Sequence, residues 1–471
     1  MIAGGGLAGS EAAWQLAERG IPVTLWEMRP THATPAHKTD RLAELVCSNS
    51  LKSNIPGAAS WLLKEELRRC GSLLVACADQ TSVPAGAALA VDRERFSQAV
   101  TSAIEQHPLV ELRRQELCGI PSRHGLPLLI ATGPLTSDSL AAQLQRATGR
   151  ENLAFYDSIS PIVDAETLNM DRIFPASRYG KGGPEDYLNC SLSEREYQAF
   201  YEALLGAETV QAHEFEQLNY FESCLPIEEM ARRGVDTLRF GPMKPVGLID
   251  PRTGQQPYAV VQLRPENLRF SSYNLVGFQN HLKFPEQKRI LRRVPGLENA
   301  EFLRYGQIHR NTYINAPRLL QPDLSLREAS HVFIAGQLSG VEGYVECVAT
   351  GLLAGLAIAH RLRWETFIPP PRTTALGSLV HYITHADPGN YQPANISFDL
   401  LPPIDGLARK VARDRKARRE RQCERALEDL TRWCESVRGV GVSVSEVRGP
   451  LSVVRSPLEA LNDRIIGSSS H

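Results

Sequence analysis

Near the start of the chain, four residues have the types and spacing to hold a dinucleotide. Gly4, Gly6 and Gly9 read G-x-G-x-x-G directly after the apolar pair Ile2-Ala3, and Glu27 follows 18 residues beyond Gly9. In such a run Gly4 permits the tight strand-to-helix turn, Gly6 lets backbone approach a pyrophosphate, and Gly9 lets helix and strand pack closely. Gly5, Leu7 and Ala8 complete the loop, whose free N–H groups at a helix start favour phosphate. Glu27 is placed to accept hydrogen bonds from a ribose diol. Two later glycine turns, Thr132-Gly133 and Gly336-Gln337, also follow apolar runs and suit the same ligand. The second set of reactive residues is the cysteines at 47, 70, 77, 118, 190, 224, 347, 423 and 434. None forms C-x-x-C or sits at metal-type spacing from a histidine, which argues against a zinc site, and an odd count without framework spacing argues against a disulfide scaffold. Most are expected to be buried, inert thiols.

These residues need a scaffold. Ala8 to Arg19 read as a helix with Ala12, Ala13, Leu16 and Ala17 on one face, and Val23 to Trp26 as the second strand. Only Met1 to Ala3 precede the glycines, so the first strand is expected to be short and its support of the phosphate loop weak. A loop from 28 to 59 is long enough to suggest function. Ser60 is expected to cap a helix running to about Arg69, and a second helix runs from Asp92 to Glu105. Strands are expected at Val110 to Leu112, at Leu126 to Ala131 and, after a long interruption, at His331 to Ala335, followed by a helix to about Leu362. Between 154 and 330 strand-like pieces such as Met243 to Gly247 and Tyr258 to Leu263 alternate with turns. The pattern predicts an α/β chain with a split Rossmann-like FAD-binding domain (1–153 and 331–437). An inserted α+β domain (154–330) shapes the substrate site, and a tail (438–471) without helical period is disordered.

With 42% apolar and 22% charged residues the composition is that of a globular protein. The net charge of −1 means any nucleic-acid binding must use local patches rather than a global field. One such patch is Arg409 to Arg421, rich in Lys and Arg; charge pattern alone equally describes a solvated helix face. Uncharged runs such as Cys347 to Ala359 are shorter than the roughly 20 residues that span a bilayer. With no visible secretory signal, a cytoplasmic location away from membranes is expected.

Five blocks in register carry a resemblance. Gly4 to Ala13 (GGGLAGSEAA), Leu45 to Ser53 (LVCSNSLKS), Ala131 to Thr136 (ATGPLT), Phe221 to Glu228 (FESCLPIE) and Ala335 to Tyr344 (AGQLSGVEGY) resemble the TrmFO family, the folate- and FAD-dependent tRNA (uracil-5-)-methyltransferases. The resemblance runs to about residue 437. It implies a one-carbon unit from 5,10-methylenetetrahydrofolate delivered to C5 of uracil-54 in the T-loop of the tRNA T-arm. FAD supplies the electrons and NAD(P)H refills it; no metal is implied. Uracil C5 is a poor nucleophile until something adds to C6, and a thiolate suits that addition because it also leaves easily. A base must then take the C5 proton. The family's nucleophile falls on Cys224 and its base on Cys47; Tyr344 matches a flavin-facing aromatic, although such a residue is more often core. Cys224 is expected just before a short helix with Pro226 near its start. Cys190 reads as structural.

Three other readings compete. A wobble-uridine enzyme of the MnmG type is also FAD-dependent, but its cysteine blocks read Cys-Asn-Pro where this chain has Cys47-Ser48-Asn49. A flavoprotein thiol oxidoreductase is opposed by the missing C-x-x-C. A non-catalytic RNA-binding flavoprotein would need only the basic surface, and turnover separates it from an enzyme.

Overall fold

The computed structural model describes residues 1–34, 36–120, 126–148, 152–158, 160–180, 183, 186–210, 225–266, 270–306, 308–389, 391–404 and 414–438. The first sheet is built from β1 (Ile2–Ala3), β2 (Val23–Trp26), β6 (Val110–Arg113), β7 (Leu128–Ile130) and β16 (Val332–Ile334). It is parallel throughout, in the order β16-β7-β1-β2-β6. The two-residue β1 is its middle strand, with Ile2 opposite Leu25 on one side and Leu129 on the other. This is the expected α/β, Rossmann-like arrangement, and the strand that closes its edge arrives more than 300 residues after the first.

Helix α1 (Leu7–Ala17) packs against the helix Tyr344–Leu362 through small residues. A Cβ on Gly351 would overlap the backbone of Ala8, and one on Gly355 would crowd Ala12 and Gln15. Tyr344–Leu362 is long and apolar enough to cross a bilayer, but Val345 to Ala359 are buried in the protein core. Helix α2 (Ala59–Arg69) begins at Ala58 with no side-chain cap. Ser60, the cap expected from sequence, instead donates to the Ser53 carbonyl at 3.0 Å. Helix α3 (Leu73–Gln80) is capped by Ser72, and α4 (Arg93–Glu105) by Asp92, whose carboxylate accepts from the N–H groups of Glu94 and Arg95. The segment expected to be one long loop contains β3 (Ser50–Ser53), which joins β4 (Ser82–Val83) and β5 (Ala88–Val91) in a small antiparallel sheet.

An antiparallel pair, β8 (Asn152–Ser158) with β15 (Ile308–Ile314), leads to and from a second core. Its sheet comprises β9 (Ile162–Asp164), β10 (Ile173–Pro175), β11 (Leu188–Leu192), β12 (Ala259–Pro265), β13 (Ser272–Leu275) and β14 (Phe302–Arg304), in the order β10-β11-β12-β13-β9-β14. The apolar cluster on it includes Tyr197, Phe200, Leu263 and Phe278. Met243 to Gly247, expected to be strand-like, is a run of turns: Pro245 has no N–H to donate, and Gly247 sits at φ +85°. The tail from 439 onward, expected to be disordered, lies outside the described residues.

Candidate functional site

The glycine loop closes as its residue types require. Gly4 has φ +98° and donates to the Trp26 carbonyl at 2.8 Å; a Cβ there would stand 2.6 Å from the Ala131 oxygen. A Cβ on Gly9 would overlap the Gly4 carbonyl. Gly6 differs: nothing lies within 4 Å of where its Cβ would be. It faces a groove of about 570 Å³ at the start of α1, lined by Gly4, Gly6, Glu27, Arg29, Thr132 and Leu135 among others. An open approach to backbone N–H groups at a helix N-terminus fits the diphosphate of FAD.

Glu27 is buried at the rim of this groove, where Oε2 accepts from the Gly5 N–H at 2.9 Å. Its Oε1 accepts from the Arg29 N–H at 3.0 Å and from Arg29 Nε at 2.8 Å. Burial pushes the Glu27 carboxyl up, but the bonds and charge of Arg29 together with the Gly5 N–H outweigh it and hold the group below its ordinary value. The carboxylate thus fixes the loop itself at a position that lines the groove. Leu7 opens α1, and Ala8 is buried where Gly351 and Gly336 approach it. Gly133 (φ +68°) and Gly336 (φ +73°) turn the ends of β7 and β16. Gln337 donates to Glu342 at 2.8 Å.

Cys47 is on the loop before β3. Its N–H and that of Ser48 both donate to Tyr344 Oη, at 2.8 and 2.9 Å, so the first residue of the long core helix holds the cysteine loop. Burial and the Cys47 charge push the Tyr344 phenol above its ordinary value, so it stays protonated. Arg93 reaches the carbonyls of Leu45 (2.7 Å) and Cys47 (3.5 Å) while paired with Glu266. Arg264 donates to Asn49 Oδ1 and Ser48 Oγ, both at 2.8 Å. The charges of Arg93, Arg264 and Arg304 all interact with Cys47.

Those arginines were not anticipated, although a signal exists. Gln262, Arg264 and Glu266 alternate with apolar residues along β12 and its continuation, so they share one face. All three are buried, and together they bind Arg178, Asn49 with Ser48, and Arg93. Lys52 was also passed over. It has φ +63° and its Nζ lies 2.8 Å from Glu346 Oε1, in space that a side chain on Gly343 would fill.

Cys224 lies outside the described residues; the described chain resumes at Leu225, with Pro226 as N-cap of the helix Ile227–Arg232. In that helix Glu228 is buried, its Oε1 accepting from the His281 N–H at 2.6 Å and its Oε2 without a partner. Burial pushes its carboxyl from an ordinary 4.5 up to about 7. The folded protein therefore holds a proton there that the unfolded chain has released, and stability falls as pH rises from about 4.5 to about 7. Glu228→Gln should raise the melting temperature at pH 8, by a stability gain on the order of 2–3 kcal/mol. At pH 5 the gain should vanish. Thermal melts at both pH values check this; equal changes at both would contradict it.

Of the other cysteines, Cys77, Cys190, Cys347 and Cys423 are buried, and burial pushes each thiol up. Cys70 and Cys434 place their sulfurs 4.0 Å apart between α2 and the helix Arg415–Arg438. Cys118, by contrast, is exposed. Among the described residues no cluster of His, Cys, Asp or Glu could hold a metal.

A family profile described as glucose inhibited division protein A matches residues 1–366. Curated relatives named methylenetetrahydrofolate–tRNA-(uracil-5-)-methyltransferase TrmFO include one from Koribacter versatilis, 59% identical over 92% of this chain and 97% of its own length. Those from Solibacter usitatus (60%, covering 93% and 98%) and Geobacter sulfurreducens (56%, covering 93% and 99%) are similar throughout. Among solved structures, Aquifex aeolicus GidA superposes with a TM-score of 0.67 at 14% identity, covering 99% of this chain and 76% of that one.

Proposed function

The chain belongs to the TrmFO family, and from that premise we propose that it carries one carbon from 5,10-methylenetetrahydrofolate to C5 of a uracil in the T-arm of tRNA. Its relatives' printed name states the donor and the uracil-5 chemistry. The glycine loop, Glu27 and the Gly133 and Gly336 turns would hold FAD, which, once reduced by NAD(P)H, would supply the two electrons that turn a methylene into a methyl group. The protein's own side chains handle the base. The Cys224 thiolate adds to C6 and makes C5 an enolate carbon, which bonds to the methylene of the folate donor. Cys47 then accepts the C5 proton as tetrahydrofolate leaves with the electron pair of its C–N bond, giving an exocyclic methylene; addition of hydride to that methylene makes the methyl group as the C6–S bond breaks and the Cys224 sulfur leaves with its electron pair. The observation that carries this reading is the Cys47 loop, clamped by Tyr344 and facing the charges of three arginines, in a chain that also has the dinucleotide-type glycine loop. Work on tRNA implies a cytoplasmic site of action.

The test is turnover. Purified protein should be yellow with bound FAD and should methylate unmodified tRNA when given methylenetetrahydrofolate and NAD(P)H. RNA binding without turnover would favour the non-catalytic reading.

Binding of tRNA should draw on the helix Arg415–Arg438. Arg415, Lys416, Arg418 and Arg419 cluster at its start; Lys416 is 87% exposed and only 3.9 Å ion-paired to Glu420, whereas Arg419 lies over the Phe398 ring. Each phosphate contact contributes about −0.7 to −0.9 to the slope of log K against log salt. Neutralising all four should weaken tRNA binding and flatten that slope by about 1 to 3. An unchanged slope in a salt titration would make the run a solvated helix face.

A further inference from the structure

Tyr179 stands out from the rest of the second core. It has φ +58° and ψ +22°, a left-handed conformation that tyrosine rarely adopts, yet its side chain is not buried: the residue is 62% exposed. Backbone held in such a conformation persists only where surrounding structure over-determines it, and such residues concentrate at binding sites. The surroundings here are specific. The Tyr179 N–H donates to the Gly247 carbonyl at 2.9 Å, and the ring lies over Gly247, where a Cβ would stand 2.9 Å from it. Arg178 ties the same segment down, donating to the carbonyls of Lys244 and Val246 and, through Nε, to Gln262 Oε1 at 2.8 Å. Lys244 itself is exposed.

The position matters as much as the geometry. Gln262 is the outer member of the polar face of β12; Arg264, two residues on and so about 7 Å along the strand, holds Ser48 and Asn49 next to Cys47. One buried polar row thus connects the seat of Tyr179 to the cysteine loop. Tyr179 offers an exposed ring, and Lys244, whose backbone carbonyl accepts from the neighbouring Arg178, is exposed as well; proteins hold unpaired nucleotides by stacking bases on aromatics while cations track the phosphates.

We infer that Tyr179 is a stacking platform for a base of the RNA substrate near the target uracil, with Lys244 taking an adjacent phosphate. This rests on the methyl-transfer reading and adds to it a contact that positions the RNA. Direct RNA binding by the FAD-loaded full chain tests it, using an unmodified tRNA transcript across a salt series together with kinetics. Tyr179→Ala should raise the tRNA Kd about 5- to 150-fold, the range of one lost base–aromatic stack. Tyr179→Phe should stay within about twofold, because the ring remains. Tyr179→Gly should lose affinity like alanine while keeping its melting temperature, since glycine adopts the left-handed backbone freely. That split is one a purely structural tyrosine would not produce. Lys244→Ala should reduce the salt slope by about 0.7 to 0.9. Unchanged Kd in Tyr179→Ala, or a rise in the KM for methylenetetrahydrofolate in place of the tRNA effect, would overturn the assignment. A wild-type protein that binds tRNA but transfers no carbon would instead overturn the methyl-transfer reading and leave the binding comparison valid. A wild-type protein that binds no tRNA would sink both.

Discussion

Cys224→Ser should lower methylation of tRNA by at least about a thousandfold and abolish the covalent complex with RNA carrying 5-fluorouracil at the target position. The hydroxyl is a far weaker nucleophile than the thiolate at neutral pH, so C6 is no longer attacked and C5 is never activated. Fluorine cannot leave as a cation, so wild-type enzyme is trapped as an adduct after addition. Cys47→Ala should be comparably inactive for a different reason: the C5 proton has no acceptor. Addition at C6 requires no such acceptor, and this variant should still form the fluorouracil adduct. The structure adds a control. The Cys47 loop is held through its backbone N–H to Tyr344 and through the carbonyls of Leu45 and Cys47 to Arg93, none of which involves the sulfur. The alanine variant should therefore keep these backbone bonds, and its FAD content beside that of wild type checks that the loop stays in place. Denaturing gels of the RNA complex separate the two roles. Loss of the adduct only in Cys47→Ala would exchange the assignments, and survival in both variants would remove both thiols as nucleophile.

A pair of alanine substitutions in the glycine loop should have opposite signatures. Gly9→Ala places a methyl group on the Gly4 carbonyl, a backbone atom that cannot swing aside. The cost should reach about 3 kcal/mol or more, at the upper end for overpacking, and appear as a lower melting temperature even without cofactor. Gly6→Ala places its methyl group in open space, and the glycine already has φ −74°, which alanine adopts without strain. The apo protein should melt as wild type does. Its FAD affinity should nonetheless fall about 5- to 150-fold, because the methyl group stands where the diphosphate must approach, an overlap of roughly 1–3 kcal/mol. Flavin absorbance after dialysis, read beside apo-protein melts, distinguishes the two. Full FAD retention in Gly6→Ala would show that the diphosphate does not lie on this loop.

What was readable from sequence was local. The glycine spacing, the helix starting near Asp92 and the apolar runs of β7 and β16 each depend on neighbours a few residues away, and the structure has them close to where they were expected. The Ser60 cap failed because Ser53, on the preceding strand, competes for the same hydroxyl. Met243 to Gly247 failed because apolar content outweighed the proline and glycine in it. The surroundings of Cys47 were not legible at all, since Arg93, Arg264 and Arg304 come from sites 46 to 257 residues away and meet only when β12 bonds to the Cys47 loop and to Arg93. Even so, a strand reading Gln-Leu-Arg-Pro-Glu should have raised the question of what its polar face binds. Five motif blocks identified the site family, whereas the charged residues that tune Cys47 required the fold.

The methyl carbon comes from folate and ends on uracil C5. That origin is tested by incubating the purified flavoprotein with unmodified tRNA, NADPH and methylenetetrahydrofolate labelled with carbon-13 at the bridging carbon. The tRNA is then digested and its nucleosides weighed by mass spectrometry. A folate origin predicts 5-methyluridine carrying the label, formed without S-adenosylmethionine and absent with Cys224→Ser. Labelled carbon found on no nucleoside, or a methyl group that appears only when S-adenosylmethionine is supplied, would contradict it.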